Sequence, residues 1–233
     1  MQRFDLDPTT LSREEPIVFP GPAGRLQGLY RPSPPETAAR GTVVVAHPHP
    51  AYGGTMLNKV VFHIARVLNH DLHLAALRFN FRGVGSSEGT YDEGRGEVED
   101  LRAAWKEARR RTPDGVLVAA GFSFGAAMTL RLAARAEPLR PDALALVGLP
   151  FRLFPPPRPF PTAIPAVVAH GAADQFTPPE TVREYLDEWP APHAFEVIPE
   201  ADHFLTGQLP RATRFLSESL RARLFSSPSP TDP

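Results

Sequence analysis

"AAGFSFGAAMTL" (Ala119–Leu130) places Gly121, Ser123 and Gly125 within five residues. The run "GVLVAAGF" (Gly115–Phe122) leads into it and "FGAAMTLRLAARA" (Phe124–Ala136) leads out. The first has the continuous apolar character of a strand buried on both faces; the second reads as a helix. A sharp strand-to-helix junction makes one side chain protrude from a backbone conformation that most residues avoid. Side chains two positions to either side would strike the neighbouring strand or helix, so glycine is required at both. The G-x-S-x-G pattern fits this geometry, and Ser123 is its candidate nucleophile. The helix that starts here aims its positive end at charge developing on a carbonyl oxygen.

The same alternation extends outward in both directions. "PIVFP" (Pro16–Pro20) and "LQGLYRP" (Leu26–Pro32) predict an antiparallel pair about the turn-prone "GPAG". Further strands are predicted at Thr42–Pro48, His73–Phe81, Ala143–Leu149, Ala166–Gly171 and Ala194–Pro199. Helices are predicted at Asn58–Asn69, Gly96–Arg111, Pro179–Glu188 and Leu209–Leu224. In Gly96–Arg111, Val98, Leu101, Trp105 and Ala108 line one face, and Arg109–Arg111 sit where cations favour the dipole. The expectation is an α/β fold: a doubly wound, mostly parallel sheet of about eight strands with helices on both faces.

Such sheets carry their chemistry beyond the carboxyl ends of the strands. That rule sorts the candidates. His193 precedes a strand and fails, as does Asp142. His170 lies within or barely beyond its strand and reads as a buried hydrogen-bonding residue near the site. His203, in the loop "PEADHFLTG" (Pro199–Gly207), follows a strand and is the candidate base. Asp174, in "HGAADQFTPPE", follows the preceding strand and is the candidate acid. Asp202 adjoins His203, a poor position from which to orient that ring. The order Ser123, Asp174, His203 is the one this geometry demands.

Two backbone N–H groups are expected to form an oxyanion hole. One is that of Phe124, directly after the nucleophile. The second is expected in "HPHPAYGGT" (His47–Thr55), where Pro48 and Pro50 have no N–H. His49 is the first candidate there, with Ala51 or Tyr52 behind it. Metal binding by His47 and His49 is the competing reading, against which stands the lack of an obvious third ligand. In "NFRGVGSSEG" (Asn80–Gly89) the serines lack the strand–helix context, and Arg82 reads as a loop anchor, with a substrate carboxylate as the alternative partner. Tyr52, Phe151 and Phe154 are expected to bind substrate, with Phe160 a further candidate wall.

Composition narrows the class. The 233 residues suit a single domain, expected over 1–225, with a disordered Pro/Ser tail over 226–233. Net charge is −1 with both signs interspersed, so neither nucleic acid nor an anionic membrane is an expected partner. The chain has no cysteine, which excludes disulfides, thiolate nucleophiles and Cys-bound metals. No signal-peptide core or membrane span is evident, and a cytoplasmic location is expected.

Taken with their positions, "GFSFG", "HGAADQFTPP" and "ADHF" resemble the nucleophile, acid and histidine motifs of the α/β-hydrolase superfamily. More narrowly, "HPHPAYGGTMLNKVV" (His47–Val61) and "RFNFRGVGSSEGTYDEGRGEVED" (Arg78–Asp100) are similar to small bacterial hydrolases related to dienelactone hydrolase. The resemblance implies an eight-stranded sheet and a hydrolase that needs no cofactor or metal. Dienelactone hydrolase itself uses a cysteine, so Ser123 departs from it and its substrate is not carried over. Many relatives insert a helical lid before the acid; here the connection Pro150–Pro165 is too short for one. The expectation is therefore a carboxylesterase-like serine hydrolase, monomer or homodimer, acting on small, short-chain esters. A thioesterase or peptidase with the same triad, or a catalytically silent binding scaffold, are the alternatives.

Overall fold

Val43, Val44, Val45 and Ala46 are all buried, yet they serve two different cores. Strand side chains alternate between faces, so Val44 and Ala46 join one apolar cluster and Val43 and Val45 the other. A strand apolar on both faces needs a layer on each, and that sets the three-layer architecture. The computed structural model describes residues 14–35, 39–135, 138–158 and 164–225. The tail at 226–233 and Phe160 lie outside the described residues.

The strands are β1 (Glu15–Gly21), β2 (Gly24–Arg31), β3 (Gly41–Ala46), β4 (Ala75–Phe79), β5 (Val116–Phe122), β6 (Ala143–Val147), β7 (Ala166–Gly171) and β8 (His193–Ile198). They form one sheet in the order β1-β2-β4-β3-β5-β6-β7-β8. The β1–β2 and β2–β4 pairs are antiparallel and the others parallel. The helices are α1 (Lys59–Leu72), α2 (Arg95–Arg111), α3 (Phe124–Ala133), α4 (Pro179–Asp187) and α5 (Leu209–Leu224).

Val98, Leu101 and Trp105 of α2, with Phe124 and Leu130 of α3, cover one face of the sheet. Val60, Ile64 and Leu68 of α1, with Leu216 and Leu220 of α5, cover the other. Asn58 starts α1 by accepting from the N–H groups of Val60 and Val61. At the far end of α2, Arg110 and Arg111 pair with Glu107, while Arg109 donates to the carbonyls of Pro113 and Gly115. The basic run is thus a helix-end structure, as expected.

β5 is central, between β3 and β6. The loops after β3, β5, β6, β7 and β8 therefore emerge along one carboxyl edge. Among the described residues the β6–β7 connection contains no inserted domain. Among the described residues, no helix is long and apolar enough to cross a membrane.

Candidate active site

Ser123 directly follows β5 and caps α3 with φ 55° and ψ −118°. Such a conformation costs a non-glycine residue on the order of 1–3 kcal/mol and persists only where the surroundings impose it. Here Val147 of β6 accepts the Ser123 N–H at 2.9 Å, and the Ser123 carbonyl accepts the Ala127 N–H. A Cβ at Gly121 would lie 2.4 Å from the backbone of Gly125, and one at Gly125 would lie 2.3 Å from the Ala46 carbonyl oxygen. Both glycines are therefore demanded by close backbone approach.

His203 Nε2 lies 2.8 Å from Ser123 Oγ, and His203 Nδ1 lies 2.7 Å from Asp174 Oδ2. The three expected residues thus form one continuous hydrogen-bonded chain across 80 positions of sequence. Asp202 holds the loop that delivers the imidazole: its carboxylate accepts from the N–H and hydroxyl of Thr206. The ring lies against Gly148, at the end of β6.

Asp174 is buried, and burial alone would push its carboxyl up; the hydrogen bond with His203, the neighbouring His170 and His203, and the Phe176 N–H outweigh that and hold it below the usual carboxylate range. Its second oxygen, Oδ1, accepts from the N–H groups of Phe176 and Thr177. His170 is fully buried, with Nε2 2.8 Å from the Thr177 carbonyl and 3.4 Å from Asp174 Oδ2. It braces the acid loop, matching the hydrogen-bonding role expected of it. Burial keeps its imidazole pKa below the ordinary value.

The loop after β3 shows how the two sequence histidines divide their work. His47 is fully buried, with Nδ1 2.6 Å from the Pro48 carbonyl and Nε2 accepting from the Phe81 N–H. Both nitrogens are engaged by backbone, and burial pushes its pKa down to about 4. His49 Nδ1 accepts from the Ala51 N–H, and its Nε2 lies 3.1 Å from the Tyr91 hydroxyl. The Tyr52 N–H donates to the His49 carbonyl. Ala51 and Tyr52 thus spend their N–H groups inside the turn, as do Gly53 and Gly54. Among the described residues, no group of three or more His, Asp or Glu is arranged to hold a metal.

Arg82 donates to both carboxylate oxygens of buried Asp100 and to the Gly96 carbonyl. It ties the loop after β4 to α2, the anchoring role expected, and the carboxylate it meets is the protein's own.

A cleft of about 350 Å³ opens over Ser123 and His203. Tyr52 and Phe154 line it, as expected. Phe151 does not: it is 6 % exposed and packs edge-on against Tyr185, with ring centroids 5.0 Å apart. That expectation is corrected: the Phe151 N–H donates to Thr177 Oγ1, which turns the residue toward α4, and the turn back to the Pro150 carbonyl brings Leu153 and Phe154 to the cleft instead. Leu153, Phe176 and Phe204 also line the cleft and were not anticipated. Phe204 follows His203 and Phe176 lies two residues past Asp174, so proximity to the catalytic candidates was the available signal.

The model of the α/β hydrolase fold family matches residues 49–163. The chain is similar to an α/β serine hydrolase homologue from Coxiella burnetii, at 35 % identity over 88 % of this chain and 97 % of that one, TM-score 0.78. It is similar to an α/β serine hydrolase without lid from Xanthomonas campestris, at 32 % identity over 93 % of this chain and 98 % of that one, TM-score 0.79. A dienelactone hydrolase from Anabaena variabilis shares the fold at 20 % identity, over 91 % of this chain and 98 % of that one, TM-score 0.73. A nucleophile-type turn at the centre of the sheet and these matches lead to one conclusion: the chain belongs to the α/β-hydrolase family and has its serine-hydrolase form.

Proposed function

We propose that the protein hydrolyses short-chain carboxylic esters through an acyl-enzyme on Ser123, with His203 as base and Asp174 as the orienting acid. The observation that carries this reading is the relay of 2.8 and 2.7 Å contacts from Ser123 through His203 to Asp174. Ser123 Oγ attacks the ester carbonyl while its proton passes to His203 Nε2. The N–H groups of Phe124 and His49 receive the oxyanion. The carbon–oxygen bond to the alcohol then breaks, and His203 gives the alcohol its proton. Water repeats the sequence: His203 takes its proton, the acyl–Ser123 bond breaks, and the acid leaves. Asp174 keeps the proton-bearing Nδ1 fixed throughout and stabilises the imidazolium. The short, lidless cleft favours small acyl groups, and its unroofed edge leaves water free to reach the acyl-enzyme.

The test is a panel of p-nitrophenyl esters of increasing chain length, run on wild type and Ser123→Ala, with a fluorophosphonate probe. Wild type is expected to be labelled and to favour short acyl chains. Ser123→Ala is expected to lose labelling and on the order of 10⁴- to 10⁶-fold in kcat. No turnover and no labelling of wild type would overturn the reading in favour of a binding scaffold.

A further inference from the structure

We infer that the cleft recognises an uncharged aryl group carried by the ester, on a wall built by His49, Tyr52 and Phe154; this rests on the ester-hydrolase reading above. None of the described residues lining the cleft is Asp, Glu, Lys or Arg. Asn58 Oδ1 caps α1, and His49 is held at both ring nitrogens. The lining has no ionised side chain to pair a charged substituent, Arg131 being stacked on the Phe154 ring at 5.5 Å, and an unpaired charge pays heavily for leaving water.

Rings dominate what remains. The His49 ring centroid lies 4.7 Å from that of Tyr52, 5.0 Å from Phe124 and 5.6 Å from Phe154. Phe124 meets Phe154 edge-on at 5.1 Å. On the other side of Ser123, Phe176 packs edge-on against His203 at 4.5 Å and Phe204 does so at 5.4 Å. The His49 and Phe154 part of this wall is held in place, because buried Phe124 backs both rings and His49 is pinned at two points. A preformed wall spares a ligand the entropy of ordering it.

The wall is also unfinished. Among the described residues, five large apolar side chains are exposed, and three of them line this cleft: Tyr52 at 84 %, Leu153 at 54 % and Phe204 at 54 %. Apolar surface gathered at one concave place marks a ligand groove. An aryl group gains ring–ring contact beyond the area it buries, which a saturated ring of the same size does not.

Matched pairs isolate that difference. Methyl 3-phenylpropanoate is compared with methyl 3-cyclohexylpropanoate, and benzyl butyrate with cyclohexylmethyl butyrate, by pH-stat, with methyl butyrate as reference. The phenyl member of at least one pair is expected to have a kcat/KM about three- to tenfold higher. Methyl 3-(4-carboxyphenyl)propanoate is expected to be at least tenfold slower than its uncharged parent. Phe154→Leu should bring the phenyl-to-cyclohexyl ratio toward one. Tyr52→Leu, at a site too exposed to threaten folding, should lower the same ratio. A ratio of one or less in both wild-type pairs, with methyl butyrate still hydrolysed, overturns the aryl inference and leaves the hydrolase reading standing. A preference that survives both substitutions overturns the assignment to this wall, and equal turnover of the carboxylated ester overturns the uncharged requirement. No hydrolysis of any ester, with Ser123 unlabelled, overturns both readings.

Discussion

Asp174 and His47 illustrate two ways in which one buried side chain controls this edge of the sheet. Asp174 offers one oxygen to His203 and the other to two backbone N–H groups. Asp174→Asn keeps the shape but presents an amide that can donate to Nδ1, favouring the wrong tautomer. We expect kcat to fall about 10³- to 10⁴-fold with the fold intact by circular dichroism; a loss under tenfold would remove Asp174 from its role. His47 matters through its neutral form. Its pKa in the folded chain is about 4 against an ordinary 6.5, so the unfolded chain binds the proton more readily. The stability this confers is complete above about pH 6.5 and is lost as pH falls toward 4, on the order of 3 kcal/mol in all. His170, lowered by the same cause, adds to the loss in the same direction. Urea midpoints from pH 7.5 to 4.5 should drop, and His47→Gln should flatten part of that slope; an unchanged slope would refute the role. Ser123, Asp174 and His203 were legible as residues because the carboxyl-edge rule depends only on strand order. The direction of Phe151 was not, since no periodicity governs a proline-rich loop.

At the scale of elements, the loop after β4 is the clearest device. It leaves the sheet at Asn80, is tied to α2 by the Arg82–Asp100 pair and carries Tyr91 to His49. Asp100 is fully buried and Arg82 nearly so. Removing one member of a buried pair strands the other, so Asp100→Ala should cost about 3–5 kcal/mol in urea unfolding. It should also raise KM for esters, because the loop that holds Tyr91 against His49 loses its anchor. A change below about 1 kcal/mol would show that the pair is solvated and the loop is held elsewhere. The strands and helices themselves were legible within two or three residues of their ends, because β-branched runs and helical apolar stripes follow fixed periods. The internal ties of the loop were not: Arg82 was recognisable as an anchor, but its partner Asp100 sat unremarked in the helix 18 residues on.

For the whole molecule, the decisive feature is what connects β6 to β7. A sheet of this order places Ser123, Asp174 and His203 beside one another whatever stands above them, so access is set by the insertions and not by the sheet. Here the described residues of that connection are a short loop, and Leu153 and Phe154 reach the cleft directly. A roofed site needs its cover moved before substrate enters, and an apolar surface can supply the energy to move it. A site that, among the described residues, carries no roof needs no such step. The rate should therefore follow dissolved ester alone, rising hyperbolically and levelling off where a sparingly soluble ester such as tributyrin begins to form droplets. A pH-stat titration across that solubility limit checks this. A sharp rise in rate at the first appearance of droplets would mean that a covering segment moves on contact with an apolar surface, and the open-edge account of access would fall.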